Sequence, residues 1–376
     1  MNKKLFFVIL LTILGVGEEV AAQHYQKWVW FKRKQYLSIG ASINAMNYFG
    51  DITPSQSFTS LDIRYTKPSI SIFVQKRLKP HFTARLMFTY GRIEGDDATA
   101  DPKDGNNQYR FARNLHFRND IFELSAMGIL DFIGNRGVFY QRPSKVIPYL
   151  TFGVAGFYHN PQAIAPDTDQ LGNPTNAGGQ WVSLQPLATE GQGRGNGALG
   201  TTYSRIQIAF PVGLGLRYKI NSRMDIGLEI AYRFTLTDYL DDVSGMYTDL
   251  AVFGENTPAN ALARALHDRS LEGGLPRLAG VVKNENDLTR PNEWYTALRS
   301  GDRAAYLDAV GITNAYNTAF FPTYYSYGNP IHGDTNRGNR TDNDVYITTA
   351  FTFTYIMPGQ VRCPEPFKKR FRRHRL

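Results

Sequence analysis

The segment TDYLDDVSGMYTD, residues 237–249, brings Asp238, Asp241, Asp242 and Asp249 close together. Carboxylates at this density can ligate a hard cation or share the work of general acid and base. No Gly and Glu register of a calcium loop follows, so the favoured expectation is capping of a rim by pairing with Arg from neighbouring loops. The seven His, at 24, 81, 116, 159, 267, 332 and 374, are scattered with no pair at metal-ligand spacing. Ser204 and His159 form a nucleophile pair only if the long segment between them folds back on itself. GQGRGNGALG, residues 191–200, has the glycine density of a phosphate loop, but no helix follows it and a mobile loop is expected. Cys363 is the single cysteine, either without a role or paired between molecules. None of these groups calls for a cofactor. The densest charge lies in the closing FKKRFRRHRL, which holds Lys368, Lys369, Arg370, Arg372, Arg373 and Arg375.

The elements that must carry these residues follow from composition and period. The opening MNKKLFFVILLTILGVGEEVAAQ has Lys3 and Lys4, an apolar run from Leu5 to Val16, and small residues at Ala21 and Ala22. This is the pattern of a secretory signal peptide over 1–22. The run is short for a retained anchor, which needs roughly 20 apolar residues. An exported chain with one Cys has no internal disulfide framework, and nothing after the signal is apolar enough for a membrane helix. Aromatic residues at 13% and 34 Gly, with strong alternation, point instead to a membrane β-barrel.

Eight stretches alternate with period two. They are YLSIGASINAMNYF, PSISIFVQKR, FTARLMFTYGRI, NDIFELSAMGILDF, IPYLTFGVAGFYH, RIQIAFPVGLGLRYK, DIGLEIAYRFTLT and VYITTAFTFTY. In the sixth, Ile206, Ile208, Phe210, Val212, Leu214, Leu216 and Tyr218 share one face, and Arg205, Gln207 and Arg217 lie on the other. In the third, Arg85 is compatible with a lipid-facing strand only if it points inward. A soluble sandwich also alternates. Against it, the connections after the second, fourth and sixth stretches are short and the others long, the rhythm of periplasmic turns and outer loops. The expected fold is therefore all-β: an eight-stranded antiparallel transmembrane β-barrel over 35–357. It has long extracellular loops, one containing short helices, and its lumen is filled by its own side chains.

The longest connection, 239–342, is expected to form an extracellular subdomain over the barrel mouth, with helical patches at TPANALARALHD and NEWYTALRSGDRAAYLDAVG. It is also a candidate surface for contact with other surface proteins. An even strand count places both termini with the short turns, on the periplasmic side. That end gathers Lys79, Arg136, Arg142, Lys145 and Arg223 from the turns. Lys27, Lys32, Arg33 and Lys34 come from the aromatic and basic segment 23–34, and the remaining charges from the basic tail 358–376. Two partners suit such a face: anionic outer-membrane lipid, at on the order of 1 kcal/mol per Lys or Arg near the surface, or an acidic protein. Export removes nucleic acid as a partner.

Five segments in order, MNYFGDI, FRNDIFELSAMGILDF, PYLTFGVAGFYHNP, TDYLDDVSGMYTD and RCP, together resemble the PorG-like outer-membrane barrels of Bacteroidetes. The resemblance implies a non-enzymatic accessory component of the type IX secretion machinery, linked to a periplasmic ring formed by PorK and PorN. The long 239–342 segment and the basic tail depart from a compact barrel of that kind. The tail is assigned as the docking element from charge and topology alone. Two other classes stand beside it: a small lipid-modifying or proteolytic barrel enzyme with its site at the extracellular rim, and a passive channel.

Overall fold

The computed structural model describes residues 35–52, 65–100, 108–135, 142, 144–169, 173–194, 200–245, 247–248, 250–254, 257–269, 272 and 337–357. The expected signal peptide, the basic segment 23–34, the second helical patch, Arg136, Asp249, Cys363 and the whole 358–376 tail lie outside them.

Ten strands form one sheet: β1 (Leu37–Phe49), β2 (Lys67–Arg77), β3 (Phe82–Asp96), β4 (His116–Asp131), β5 (Val146–Tyr158), β6 (Pro161–Ile164), β7 (Trp181–Ser183), β8 (Ile206–Lys219), β9 (Met224–Thr235) and β10 (Val345–Ile356). Eight of them close a barrel in the order β3-β2-β1-β10-β9-β8-β5-β4, sealed by β3 against β4, with every pairing antiparallel. These are the eight alternating stretches. Closure satisfies each strand's backbone inside the sheet, as a hydrocarbon surround requires. Strands β6 and β7 form a small hairpin that extends the sheet along the loop end of β4, beyond β5.

The side-chain pattern is inverted relative to a soluble protein. Ile43 is 70% exposed and its neighbour Ser42 is 6% exposed. The same contrast runs around the wall through Ile70, Ile72, Leu86, Leu124, Leu214, Leu228 and Phe351, all outward. Aromatic rings border this apolar band on both sides. Near the loop end Tyr90, Phe122 and Tyr158 neighbour one another at 4.9 and 6.4 Å between ring centres, and Phe132 and Tyr218 stand near the short-turn end. An apolar outer band with aromatic borders and a charged interior is the arrangement of a transmembrane barrel.

The lumen is crossed by ion pairs at successive heights. Nearest the short turns, Asp131 accepts from Arg77 at 3.1 Å and from Arg217 at 3.2 Å, and Arg142 pairs with Asp225. Above them Arg85 on β3 meets Glu229 on β9 at 2.9 Å, and the Tyr149 hydroxyl donates to the same carboxylate oxygen. In the barrel order β3 and β9 lie opposite each other, so this pair spans the interior. Higher still, Arg233 and Tyr346 both donate to Glu123 at 2.7 Å. Burying charge is tolerable here because each carboxylate has a donor. The inward direction expected for Arg85 is thus observed. Reconstituted in planar bilayers, the protein is expected to give no steady conductance steps, and ohmic steps of fixed size would show an open path around these pairs.

The loop end is roofed. Ile52, Leu115, Leu240 and Val243 come from three connections and pack with Tyr48, Phe117, Phe157 and Tyr346 of the wall into a buried apolar cluster. Helix α1 (Gln108–Arg113) supplies Arg113, which forks onto Asp97 at 2.7 and 2.9 Å. Helix α2 (Pro258–His267), capped by Thr257 as its sequence signals, supplies Arg264 to Asp169 at 2.9 Å. The described part of the connection 160–204, which holds the expected mobile loop 191–200, is largely built into this roof. It contributes the β6–β7 hairpin and a short 3-10 turn (Gln185–Leu187), and Glu190 accepts from the backbone of Ser244 and Gly245.

Candidate functional site

Two places bear on function: the carboxylates under the roof and the charged short-turn end. The carboxylates do not stand on an open rim. Leaving β9, the chain makes a tight run from Thr237 to Gly245 whose residues are buried except for half-buried Tyr239. Asp241 accepts from the Tyr48 hydroxyl at 2.6 Å and from the backbone of Ile52 and Val243 at 3.1 and 2.9 Å. Asp242, held at φ 69°, accepts from the Tyr203 hydroxyl at 2.6 Å and from Thr189. Asp238 has one carboxylate oxygen buried without a hydrogen-bond partner. Burial pushes the carboxyls of Asp238 and Asp241 up to about 8 and that of Asp242 up to about 6.

The expected pairing of these carboxylates with loop Arg is met only in part. Arg337 donates to the main-chain oxygen of Asp242 and forms its ion pair with Glu190 at 3.2 Å, and its charge partly offsets the upward push on the Asp242 carboxyl. The groups that do gather around Asp241 are Tyr48, Asp51 and Asp344, from distant parts of the chain. No local pattern marks them, although Tyr48 and Asp51 belong to the MNYFGDI stretch. Among the described residues no group of three or more His, Cys, Asp or Glu is arranged to hold a metal ion.

His159 and Ser204 are brought together, but not as a nucleophile pair. The His159 Nε2 lies 3.2 Å from the Ser204 carbonyl oxygen, so that nitrogen is the donor. Burial lowers the His159 pKa to about 4, which keeps the ring neutral. The Ser204 hydroxyl is turned to the backbone of Ile206 instead. The described part of GQGRGNGALG closes on itself through Gly193 N to Gly200 O, with Gly191, Gly193 and Gly200 all at positive φ. Glycine is needed there to make the turn.

The short-turn end has a single sign of exposed charge. Tyr36 and Met357 hydrogen-bond into neighbouring strands, so the chain enters and leaves the barrel at this end. Lys76, Lys79, Lys145 and Arg223 are exposed there and Lys219 is half-buried. The carboxylates of the same end, Asp131 and Asp225, are buried against Arg77, Arg217 and Arg142. Among the described residues of this end, every exposed formal charge is therefore positive. The tail residues assigned to docking, Lys368, Lys369, Arg370, Arg372, Arg373 and Arg375, lie outside the described residues.

A family model described as a domain of unknown function (DUF6089) matches residues 27–177. No curated protein matches the chain. Among solved structures, the Neisserial surface protein A is similar at 10% identity, with a TM-score of 0.30 and coverage of 86% of this chain and 96% of that one. The outer-membrane protein OprG from Pseudomonas aeruginosa is similar at 10% identity and TM-score 0.30, covering 54% and 79%. Ail, the attachment invasion locus protein of Yersinia pestis, in complex with the heparin analogue sucrose octasulfate, is similar at 11% identity and TM-score 0.24, covering 53% and 85%. The transmembrane assignment of this chain rests on its own closed barrel, outward apolar band and charged lumen.

Proposed function

We propose that this barrel is a non-enzymatic accessory and anchoring component of the type IX secretion machinery in the outer membrane. Its short-turn end faces the periplasm and docks an acidic surface of a ring subunit or lipoprotein resembling PorK or PorN. One observation carries the reading: among the described residues of the short-turn end every exposed charge is positive, with the carboxylates withdrawn into the lumen. Complementary charge of this kind speeds encounter and fixes orientation. Among the described residues, Asp241 and Asp242 are buried in hydrogen bonds and the Ser204 hydroxyl faces the backbone of Ile206, so neither group considered for the enzyme alternative is assembled for catalysis.

The test is crosslink-assisted purification from native outer membrane. Full-length protein is compared with a form ending at Pro364 and with a full-length Lys79→Glu, Lys145→Glu, Arg223→Glu variant, at verified equal barrel levels. Recovery of secretion-ring components by the full chain, with loss in either altered form, is the expected result. The tail is the docking element if the truncation loses them, and the turns are if the triple variant does. Failure of the full chain to recover any ring component overturns the anchoring reading.

A further inference from the structure

The Tyr48 hydroxyl stands between two carboxylates, 2.6 Å from Asp241 Oδ2 and 2.8 Å from Asp344 Oδ1. A phenol has one hydrogen to donate. With two acidic oxygens in hydrogen-bond contact with one hydroxyl, one of the two must carry a proton and donate it back to the phenol oxygen. The other partners identify which. Asp241 Oδ2 already accepts from Ile52 N, and its contact with Tyr48 is the shorter, as for a charge-assisted bond. Asp344 uses its Oδ2 to accept from Leu240 N at 2.8 Å, leaving Oδ1 as the hydroxyl side.

We propose that Tyr48, Asp241 and Asp344 form a proton-holding latch that keeps the roof seated on the barrel mouth and releases it when the shared proton is lost. The three residues lie at the end of β1, at the start of the β9–β10 connection and at its return, so the latch pins both ends of that connection to the wall. Its fit is tight around Gly50, where a Cβ would lie 1.9 Å from Asp344 Oδ1 and 2.0 Å from the Tyr48 oxygen. Loss of the proton would leave two charged carboxylates sharing one phenol away from water, an arrangement that carboxyl pairs avoid by holding a proton.

The surrounding charges oppose that ionisation. Asp51 faces the latch from the β1–β2 connection and Asp238 from the β9–β10 connection, with Asp242 next in the chain; Glu190 faces Asp51 and Asp238 from the β5–β8 connection. Of the nearby cations, Arg113 acts against the upward push on Asp241 without overcoming it, and each is held by other acceptors. Arg113 is forked onto Asp97 and donates to the Asp51 carbonyl, Arg110 donates to the same carbonyl, and Arg337 is paired with Glu190. Burial is the largest cause and the neighbouring carboxylates add to it, pushing Asp241 up to about 8 and Asp344 well above the usual carboxylate range. The seated roof thus binds more protons than the open one. Its stability is greatest at and below the ordinary carboxylate range, and falls as pH rises toward the raised range that burial gives the pair.

Hydrogen exchange of the full-length protein in micelles between pH 6 and 9, corrected for the intrinsic pH dependence of exchange, tests this directly. Peptides covering 237–245 and 338–344 should lose protection by up to about tenfold per pH unit, while β3 and β4 hold theirs. Asp344→Asn, whose amide supplies the latch hydrogen at every pH, should keep the roof protected at pH 9. Roof protection that is flat from pH 6 to 9, or an Asp344→Asn roof that is open at pH 6 on an intact barrel, overturns the latch. If that variant does not form a heat-modifiable barrel, difference infrared spectra of the wild-type protein decide. A protonated-carboxyl carbonyl band that is present at pH 6 and is lost as the pH is raised supports the latch, and its absence throughout overturns it.

Discussion

Arg85→Ala is expected to destabilise the folded barrel by about 3–5 kcal/mol, because it leaves a carboxylate uncompensated inside the lumen. Arg85 reaches across from β3 to Glu229 on the opposite strand β9, with its guanidinium 4.8 Å over the Phe73 ring and its Nε 3.4 Å from Gln75. The two side chains are 3% and 5% exposed, so solvent screens neither. Truncation leaves Glu229 with the Tyr149 hydroxyl as its remaining hydrogen-bond donor. Folded and unfolded fractions across a urea series in micelles, read from the mobility of unheated samples, give the size of the loss. The double change Arg85→Met with Glu229→Leu removes both charges at similar volume and is expected to recover most of it. A loss below about 1 kcal/mol for Arg85→Ala would place the pair among solvent-screened surface bridges and show that the lumen is wet at that height.

That pair also marks the boundary of what the sequence discloses. The inward direction of Arg85 is legible from its own strand, because alternation leaves no other tolerable side. Its partner is not, since Glu229 lies 144 residues away and nothing local ties the two. The same division holds for the whole molecule. Every barrel strand is a period-two run, because one face meets lipid and the other the lumen. The roof has no comparable rule. Asp241 reads as a rim carboxylate because it lies in a cluster of Asp at the outer end of a strand, whereas its neighbours in space are Tyr48, 193 residues away, and the backbone of Ile52.

The roof's regular pieces were unequally visible for physical reasons. Helix α2 carries a Thr cap followed by Pro at its first turn, a signal that depends only on local chemistry. Helix α1 has six residues and is fixed by the burial of Arg113 against Asp97, which is a tertiary effect. The β6–β7 hairpin consists of four- and three-residue strands separated by a long Gly-, Asn- and Pro-rich stretch. It forms because the end of β4 offers an unpaired backbone edge beyond β5, with Arg118 and Asn119 pairing Gln162 and Pro161. Arg118 then stacks 3.9 Å over Trp181 of the added strand. Such an extension depends on where β5 stops along β4, which is a property of the folded sheet and not of the hairpin's own sequence.

The second large effect is expected on the outer wall, where Leu214→Arg should destabilise the barrel by about 2–4 kcal/mol when it is inserted in a bilayer. Leu214 is 61% exposed and lies between Ile230 and Leu150 in the strand register. It is two outward positions from Tyr218 on one side and four from Ile206, which is level with Tyr158, on the other, so a guanidinium there is far from either aromatic border. Lys and Arg side chains near a border reach water by extending along the wall, and those near the middle cannot do so without thinning the membrane. Tyr218→Arg, at the border, is therefore expected to cost at most about 1 kcal/mol by the same depth dependence. The comparison is made by unfolding both variants from lipid vesicles and again from detergent micelles, where the depth-dependent difference should shrink. Equal effects at the two positions in vesicles would mean that the outward band does not face hydrocarbon, and the transmembrane placement of this barrel would fall with it.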